Sequence, residues 1–115
     1  MKGEKEFKKQ EKFSVMIPTF EPSRSLLDAI QSVLKQFDGR VVNGTDLSKD
    51  SLQITVVDDA SSTVDVSSLL KGSGLADRVE FVKSGKHLGL AGNWNYAVSL
   101  ARAELVHLLH QDDRV

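Results

Sequence analysis

The stretch LQITVVDDASS, Leu52 to Ser62, joins an apolar segment directly to a polar loop. LQITVV is rich in β-branched side chains, which favour strands. The residues that follow, DDASST, are of the types that favour turns and loops. The stretch therefore predicts a buried strand that carries two adjacent acids, Asp58 and Asp59, at its carboxyl end.

Three further segments predict strands on either side of this one in the chain. Each is short and either mostly apolar or alternately apolar and polar. They are FSVMIP (13–18), VEFV (79–82) and ELVHLL (104–109). Because most of these segments are dense in apolar residues, they fit strands that are covered on both faces, as in a parallel sheet.

Apolar residues at helical spacing predict a helix after each of the first three strands. In the first helix these residues are Leu26, Leu27, Ile30, Val33 and Leu34, with Ser23 or Ser25 as the N-cap. A short helix is expected over Val64–Leu70. In the third they are Leu90, Trp94, Ala97, Val98 and Ala101, and we expect Trp94 to lie in the core. The β-α-β-α-β-α-β order predicts an α/β fold with helices on both faces of a mainly parallel sheet.

The rest of the chain divides into a lead-in and one long connection. Residues 1–12 mix lysine with glutamate, so we expect a flexible, solvated lead-in rather than a basic membrane-binding segment, followed by one domain over 13–115. Residues 37–51 are polar, contain two glycines and exceed the usual length of a connection. An insertion or a lid is expected there, and its role stays open.

Composition excludes several classes of protein. Of 115 residues, 40% are hydrophobic and 27% charged, with a net charge of -1, so nothing favours nucleic acid or an acidic membrane as a partner. The absence of cysteine excludes disulfides and thiolate metal sites. No apolar run approaches the roughly 20 residues that span a bilayer, and residues 1–12 lack the apolar core of a secretory signal. We expect a cytoplasmic location, with peripheral membrane attachment of a longer protein as the alternative.

Polar segments follow all four predicted strands. They are PTFEP, DDASS, SGKHLGLAGN and QDD. In open parallel sheets, ligands bind outside the carboxyl ends of the strands, near the point where the strand order reverses. We therefore expect the four segments to share one crevice.

Two pairs of acids are expected to meet in this crevice: Asp58 with Asp59, and Asp112 with Asp113. Two carboxylates about 4 Å apart repel by roughly 4 kcal/mol at the effective dielectric of a protein surface. Mg²⁺ or Mn²⁺ would offset this repulsion, and such ions commonly join one or two carboxylates to substrate phosphates. The sequence thus predicts a metal that clamps a diphosphate, although either pair alone is also typical of a polar loop.

The segment GKHLGLAGNWN (85–95) is rich in glycine and precedes a helix, so its backbone N–H groups are suited to an anion. No GxGxxG follows the first strand and no GxxxxGK[ST] is present, which argues against dinucleotide and P-loop sites. Lys86 and His87 are candidate phosphate contacts, with plain solvation as the alternative. Asn93 and Asn95 either brace the loop or touch ligand.

In this order, FSVMIPTF, LLDAIQSVLKQ, LQITVVDDASS and KHLGLAGNWNYAVSLARAELVHLLHQDD resemble family-two glycosyltransferases, which are inverting enzymes. The likeness covers Phe13 to Asp113. It implies a Rossmann-like nucleotide-diphospho-sugar transferase fold, the A-type glycosyltransferase fold, cut off after its DXD-like element. It also implies a nucleoside diphosphate sugar donor, commonly a UDP-sugar, with Mg²⁺ or Mn²⁺. The sugar and the acceptor, whether glycan, lipid or protein, stay open.

The resemblance assigns roles to residues near the first two strand ends. Pro18 and Thr19 correspond to the nucleoside-contacting turn after the first strand. Asp59 corresponds to the acid that contacts the uracil edge, and Asp58 to a residue that supports the loop. Asn93, in the glycine-rich segment, is a further candidate for nucleotide binding.

QDD (111–113) is similar to the family's DXD element. By this likeness Asp112 approaches the ribose and Asp113 binds the metal. His110 stands where the longer D-x-D-D form has an acid, so it is expected to support the acidic tip rather than to ligate. His107 is expected to be packed within its strand.

In the family, a carboxylate base deprotonates an acceptor hydroxyl, which attacks the anomeric carbon while the metal stabilises the departing diphosphate. That base lies downstream of the DXD element, so here it is expected beyond Val115 and its identity is unknown. We accordingly expect residues 1–115 to bind donor without transferring sugar.

Two other interpretations remain open. Receiver domains also end a strand in adjacent acids that hold Mg²⁺, but their acid pair follows the first strand and the acceptor aspartate follows the third. Here those strands end in Pro-Thr and VKSG. The other alternative is a non-catalytic nucleotide-sugar-binding fragment that folds with a separate segment.

Overall fold

The computed structural model describes residues 11–37, 41–42, 45–46 and 52–112. In chain order, the elements are β1 (Phe13–Thr19), α1 (Ser25–Phe37), β2 (Val41–Val42), β3 (Thr45–Asp46), β4 (Leu52–Asp58), α2 (Val66–Ser73), β5 (Glu80–Lys83), α3 (Gly89–Ser99) and β6 (Leu105–Leu108).

Four of the strands form one parallel sheet in the order β5-β4-β1-β6. The first two crossovers move outward from β1 to β4 and β5, and the third returns to the opposite side of β1. The strand order therefore reverses between β1 and β6, which is where α/β sheets bind ligands. In the register, Thr19 lies opposite Asp58 and Met16 opposite Leu108. The predicted α/β fold is confirmed.

The core lies on both faces of the central strands. The apolar face of α1, which includes Leu26, Ile30 and Val33, packs with α2 in one cluster against the sheet. On the other face, Met16 and Val57 pack with Ala97 of α3. Each fully buried aliphatic side chain contributes roughly 1.5–3 kcal/mol relative to exposure, which explains why the apolar periodicity located these helices.

A buried polar network closes the amino-terminal end of the sheet. Gln53 of β4 is 2% exposed, and its Oε1 accepts from the Ser14 hydroxyl at 2.6 Å and from the Arg102 backbone N–H at 2.8 Å. Its Nε2 donates to Thr55 Oγ1 at 3.0 Å and to the Leu100 carbonyl at 3.1 Å. One side chain thus ties β1, β4 and the α3–β6 connection together.

The long connection contains a strand pair that the sequence did not predict. β2 and β3 are antiparallel, with Val41 opposite Asp46 and Val42 opposite Thr45. The other residues between Gly39 and Ser51 lie outside the described residues, so the insertion-or-lid interpretation stays a prediction. Most of the lead-in is outside them as well.

Two packing predictions are wrong. Trp94 is 36% exposed, and its neighbours on the same helix face, Leu90 and Val98, are 69% and 45% exposed. His107 is exposed on β6. β6 is an edge strand, and no described element lies beside it on its outer side. The outer face of α3 is likewise left uncovered by the described part of the chain. None of the helices described is long and apolar enough to cross a membrane.

Candidate functional site

A cleft of about 300 Å³ opens at the carboxyl ends of β1 and β6, beside the start of α3. It brings together four of the residues that the sequence proposed for nucleotide binding: Pro18, Thr19, Asp59 and Asn93. These residues follow or end different strands, or lie on α3. They meet because the strand order reverses here.

Asp59 joins the cleft to the first turn of α3. Its backbone N–H donates to the Thr19 carbonyl at 2.8 Å, which fixes the loop beside β1. Its carboxylate accepts from the backbone N–H groups of Leu88 and Gly89, at 2.5 and 2.9 Å. The N-cap residue of α3, Leu88, makes no side-chain cap. Asp59 thus supplies from another strand the acceptor that helix N–H groups need, and its charge suits that end of the helix dipole.

The adjacent acid, Asp58, supports the loop after β4. It is fully buried, and its Oδ1 accepts from both the hydroxyl and the backbone N–H of Ser61. Its Oδ2 has no hydrogen-bond partner among the described residues. This placement agrees with the supporting role that the resemblance implied.

Glu21 clamps the loops that follow β1 and β4. Its carboxylate accepts from the backbone N–H groups of Ser62 at 2.8 Å, Thr63 at 3.1 Å and Val64 at 2.9 Å. Its own N–H donates to Ser61 Oγ at 2.8 Å. These hydrogen bonds, the one from Ser62 foremost, lower the pKa of Glu21 below 4.5 against the opposing effect of burial. Glu21 therefore stays charged to a lower pH than an ordinary glutamate does.

Glu21→Gln is expected to lower the melting temperature at pH 7, because an amide group would face N–H donors in place of a carboxylate oxygen. Since the fold lowers the pKa of Glu21, its contribution to stability is fully present above pH 4.5. That contribution is lost as the pH falls through the lowered pKa of the folded protein. The difference from wild type should thus shrink below pH 4.5 in melting curves from pH 7 to 3. Glu104→Gln, at an exposed acid, should match wild type throughout. An undiminished difference at pH 3 would contradict this account.

Aromatic and imidazole rings line the mouth of the cleft. The rings of Phe20 and His87 lie 4.5 Å apart, and those of Trp94 and His110 lie 6.4 Å apart, edge to face. Such flat apolar surfaces suit a planar ligand. Sequence reasoning missed Phe20, although a large aromatic residue directly after β1 was a usable signal, and it placed Trp94 in the core.

The segment after β6 is held against the loops of β1 and α1. Gln111 Oε1 accepts from the Phe20 N–H at 2.8 Å, and Gln111 Nε2 donates to the Phe20 carbonyl at 3.3 Å. Asp112 is exposed, and its Oδ1 accepts from Ser25 Oγ at 2.6 Å. Gln111, another residue missed by sequence reasoning, thus fixes the approach to the acidic tip.

The structure corrects the expectation that four acids surround one cation. Asp58 accepts from Ser61 of its own loop, Asp59 accepts from the first turn of α3, and Asp112 accepts from Ser25 of α1. Across 11–37, 41–42, 45–46 and 52–112, no three His, Asp or Glu side chains are grouped closely enough to hold a metal ion. Asp113 lies outside the described residues. The exposed carboxylate of Asp112 is an oxygen ligand of the kind that Mg²⁺ and Mn²⁺ prefer, and such ions commonly bind only one or two protein carboxylates.

The two remaining candidates differ in their surroundings. Lys86 is exposed and is not among the residues that line the cleft, whereas its neighbour His87 is. Asn93 is 3% exposed, and its Nδ2 donates to the Val57 carbonyl at 3.0 Å. Its Oδ1 has no partner within the described part of the chain. Asn93 therefore braces α3 against β4 while lining the cleft.

Solved structures share this architecture. The structure of residues 1–349 of TarS from S. aureus has 25% sequence identity and a TM-score of 0.68 over 90% of this chain, and the same values hold for its complex with UDP. The mannosyltransferase PcManGT from Pyrobaculum calidifontis, in complex with GDP-Man and Mn²⁺, has 20% identity and a TM-score of 0.70 over 91%, a likeness of fold alone. The chain spans 28% of the length of each of these structures.

A search of curated proteins found no match. The protein-family comparison is specific: residues 14–115 match the model described as glycosyl transferase family 2. That match includes every strand of the parallel sheet and the segment that follows β6. Together with the fold that TarS and the mannosyltransferase share, this family match rules out the receiver-domain interpretation. The chain belongs to glycosyl transferase family 2 and has the A-type glycosyltransferase fold.

Proposed function

We propose that this chain forms the donor site of a glycosyltransferase that binds a nucleoside diphosphate sugar with a divalent cation and transfers the sugar, with inversion, to an acceptor hydroxyl. The observation that carries the proposal is the meeting of Thr19, Phe20 and Asp59 in one cleft at the switch point of the sheet. The likeness to TarS, whose structure was solved with UDP, supports a uridine donor.

In this proposal the nucleobase lies beside the ring of Phe20, with its polar edge toward Asp59. A buried, ionised carboxylate is an acceptor only, so it favours a base with a ring N–H, such as the N3–H of uracil. Cytosine carries an unprotonated acceptor nitrogen at that position and would face the carboxylate with a lone pair. The cleft is therefore expected to prefer UDP to CDP.

The diphosphate is expected to point toward the acidic tip at residues 112–113. A divalent cation bound there would neutralise the diphosphate and stabilise it as the leaving group. In this proposal Asp112 contacts the ribose, and the hydrogen bond from Ser25 Oγ at the start of α1 supports this role by orienting its carboxylate. The chain's own contribution is to hold the nucleoside and to fix the direction of the diphosphate.

Calorimetric titration with UDP and CDP, each with Mn²⁺ and with a chelator, tests the donor site. We expect UDP to bind about tenfold more tightly than CDP, a factor that corresponds to about 1.4 kcal/mol, in the range of one hydrogen bond to a charged group. Equal affinity would contradict the role of Asp59. No binding of either nucleotide would contradict the proposed function as a whole.

Asp113→Ala tests the metal separately. For the wild type, we expect Mn²⁺ to raise UDP affinity roughly tenfold over the chelated sample, because the cation offsets repulsion between the diphosphate and the acidic tip. In Asp113→Ala this gain should disappear while the preference for UDP over CDP remains. A full Mn²⁺ effect in the variant would exclude Asp113 as a ligand. A wild type that binds UDP without any metal effect would favour the non-catalytic binding alternative.

A further inference from the structure

His87 covers the carboxylate that the proposed donor site depends on. Its Nδ1 lies 3.0 Å from Asp59 Oδ2, and its ring lies 4.5 Å from that of Phe20. The side chain of His87 is 55% exposed, whereas that of Asp59 is 2% exposed. A ligand that enters the cleft therefore meets the imidazole before it can reach Asp59.

The contacts of Asp59 differ in how readily they can be replaced. An ionised carboxylate offers about four acceptor positions. The backbone N–H groups of Leu88 and Gly89 belong to the start of α3 and cannot leave without unwinding it. Ser84 Oγ is 3.5 Å from Oδ1 and is also hydrogen-bonded to the Asp58 carbonyl at 3.1 Å. His87 Nδ1 lies 3.0 Å from Oδ2 and 3.3 Å from the backbone carbonyl oxygen of Asp59. Because the His87 side chain is about half exposed, a side-chain rotation frees Oδ2.

We propose that His87 occupies, in the free protein, the position on Asp59 Oδ2 that a ring N–H of the donor nucleobase takes, so that binding of the base displaces the imidazole. This inference rests on the proposed function and deepens it. The replacement exchanges one N–H donor for another, so it leaves the buried carboxylate satisfied throughout. A base without a ring N–H at that edge leaves His87 in place and gains no contact with Asp59.

His87→Ala is the direct test. Because the variant no longer has an imidazole to displace, we expect UDP to bind roughly two- to fivefold more tightly in the presence of Mn²⁺, the size of effect expected when one partly exposed hydrogen bond no longer has to be broken. Affinity for Mn²⁺-pyrophosphate, which has no base, should not change. His107→Ala removes a second exposed histidine on β6 and should leave both affinities unchanged.

Different results overturn different claims. Weaker UDP binding in His87→Ala would make His87 a direct donor contact, and unchanged binding would mean that it does not compete. An equal gain for UDP and pyrophosphate would make it a general obstruction. Each of these results overturns the displacement while the donor site stands. Failure of the wild type to bind UDP would overturn the proposed function and the inference together.

A measurement on the wild-type protein gives a second test that does not depend on the folding of a variant. The ¹⁵N imidazole resonances of His87 should shift on addition of UDP, because Nδ1 loses its contacts with the carboxylate and carbonyl oxygens of Asp59. Mn²⁺ is replaced by Mg²⁺ here to avoid paramagnetic broadening. Mg²⁺-pyrophosphate should leave these resonances in place, and those of His107 should not respond to either ligand. His87 resonances that stay unchanged in saturating UDP would overturn the displacement.

Discussion

Asp59→Ala is expected to abolish detectable UDP binding and also to destabilise the fold by roughly 3–6 kcal/mol, because two hydrogen bonds to a charged group are worth about 1.5–3 kcal/mol each. The bonds at risk are those from the backbone N–H groups of Leu88 and Gly89. Their loss leaves the first turn of α3 without an acceptor in a half-buried setting. Denaturant unfolding and UDP calorimetry on the same preparation measure the two effects.

The comparison with other variants separates the two effects. Asp59→Asn retains one acceptor oxygen but turns an NH₂ group toward a second N–H, so we expect an intermediate loss of stability and a loss of UDP preference over CDP. Asp77→Ala, at an exposed acid in the α2–β5 connection, should match wild type in both assays. An Asp59→Ala protein within about 1 kcal/mol of wild type would show that Asp59 does not cap α3.

Gln53→Leu is expected to destabilise the protein by roughly 2–4 kcal/mol, although leucine is apolar and similar in size. The substitution strands the Ser14 hydroxyl, the Arg102 N–H and the Leu100 carbonyl, and each unsatisfied buried group costs about 1–3 kcal/mol. Some of this cost is offset because the leucine side chain is itself favourable to bury. The free energy of unfolding in urea measures the net change.

Gln31→Leu provides a matched control, since it makes the same chemical change on the exposed side of α1. It should stay within about 0.5 kcal/mol of wild type. A double-mutant cycle sharpens the test. Once Gln53 is leucine, Ser14→Ala should cost less than it does in the wild type, because the hydroxyl has already lost its acceptor and keeps only the bond from the Ala103 N–H. Strict additivity, or a Gln53→Leu protein as stable as wild type, would rule out a stabilising network.

Sequence patterns located the parallel strands and the helices to within a few residues, since apolar runs such as FSVMIP and helical spacing such as Leu26–Leu34 report burial directly. They failed for β2 and β3, which are two residues long in a polar segment and have no period to detect. They also failed for Trp94, because an apolar stripe predicts a covered face and the described elements leave this one open.

The site was predictable at the strand ends, because the carboxyl ends of parallel strands meet at one edge of the sheet. Thr19 is the last residue of β1, and Asp59 directly follows β4. It was not predictable where function depends on contacts between distant loops. Nothing local to Glu21 indicates that it binds the backbone of the β4 loop, and nothing local to His87 indicates that it lies on Asp59. Such pairings follow from the assembled fold alone.

The cap that Asp59 places on α3 limits how the donor preference of this chain can be altered. Any substitution at that position changes both the chemistry offered to the base and the first turn of a helix that packs on the sheet. Mutant libraries that aim to change the nucleotide preference should therefore keep Asp59 fixed and vary Phe20, His87 and His110. The side chains of these three residues line the cleft but do not cap a helix.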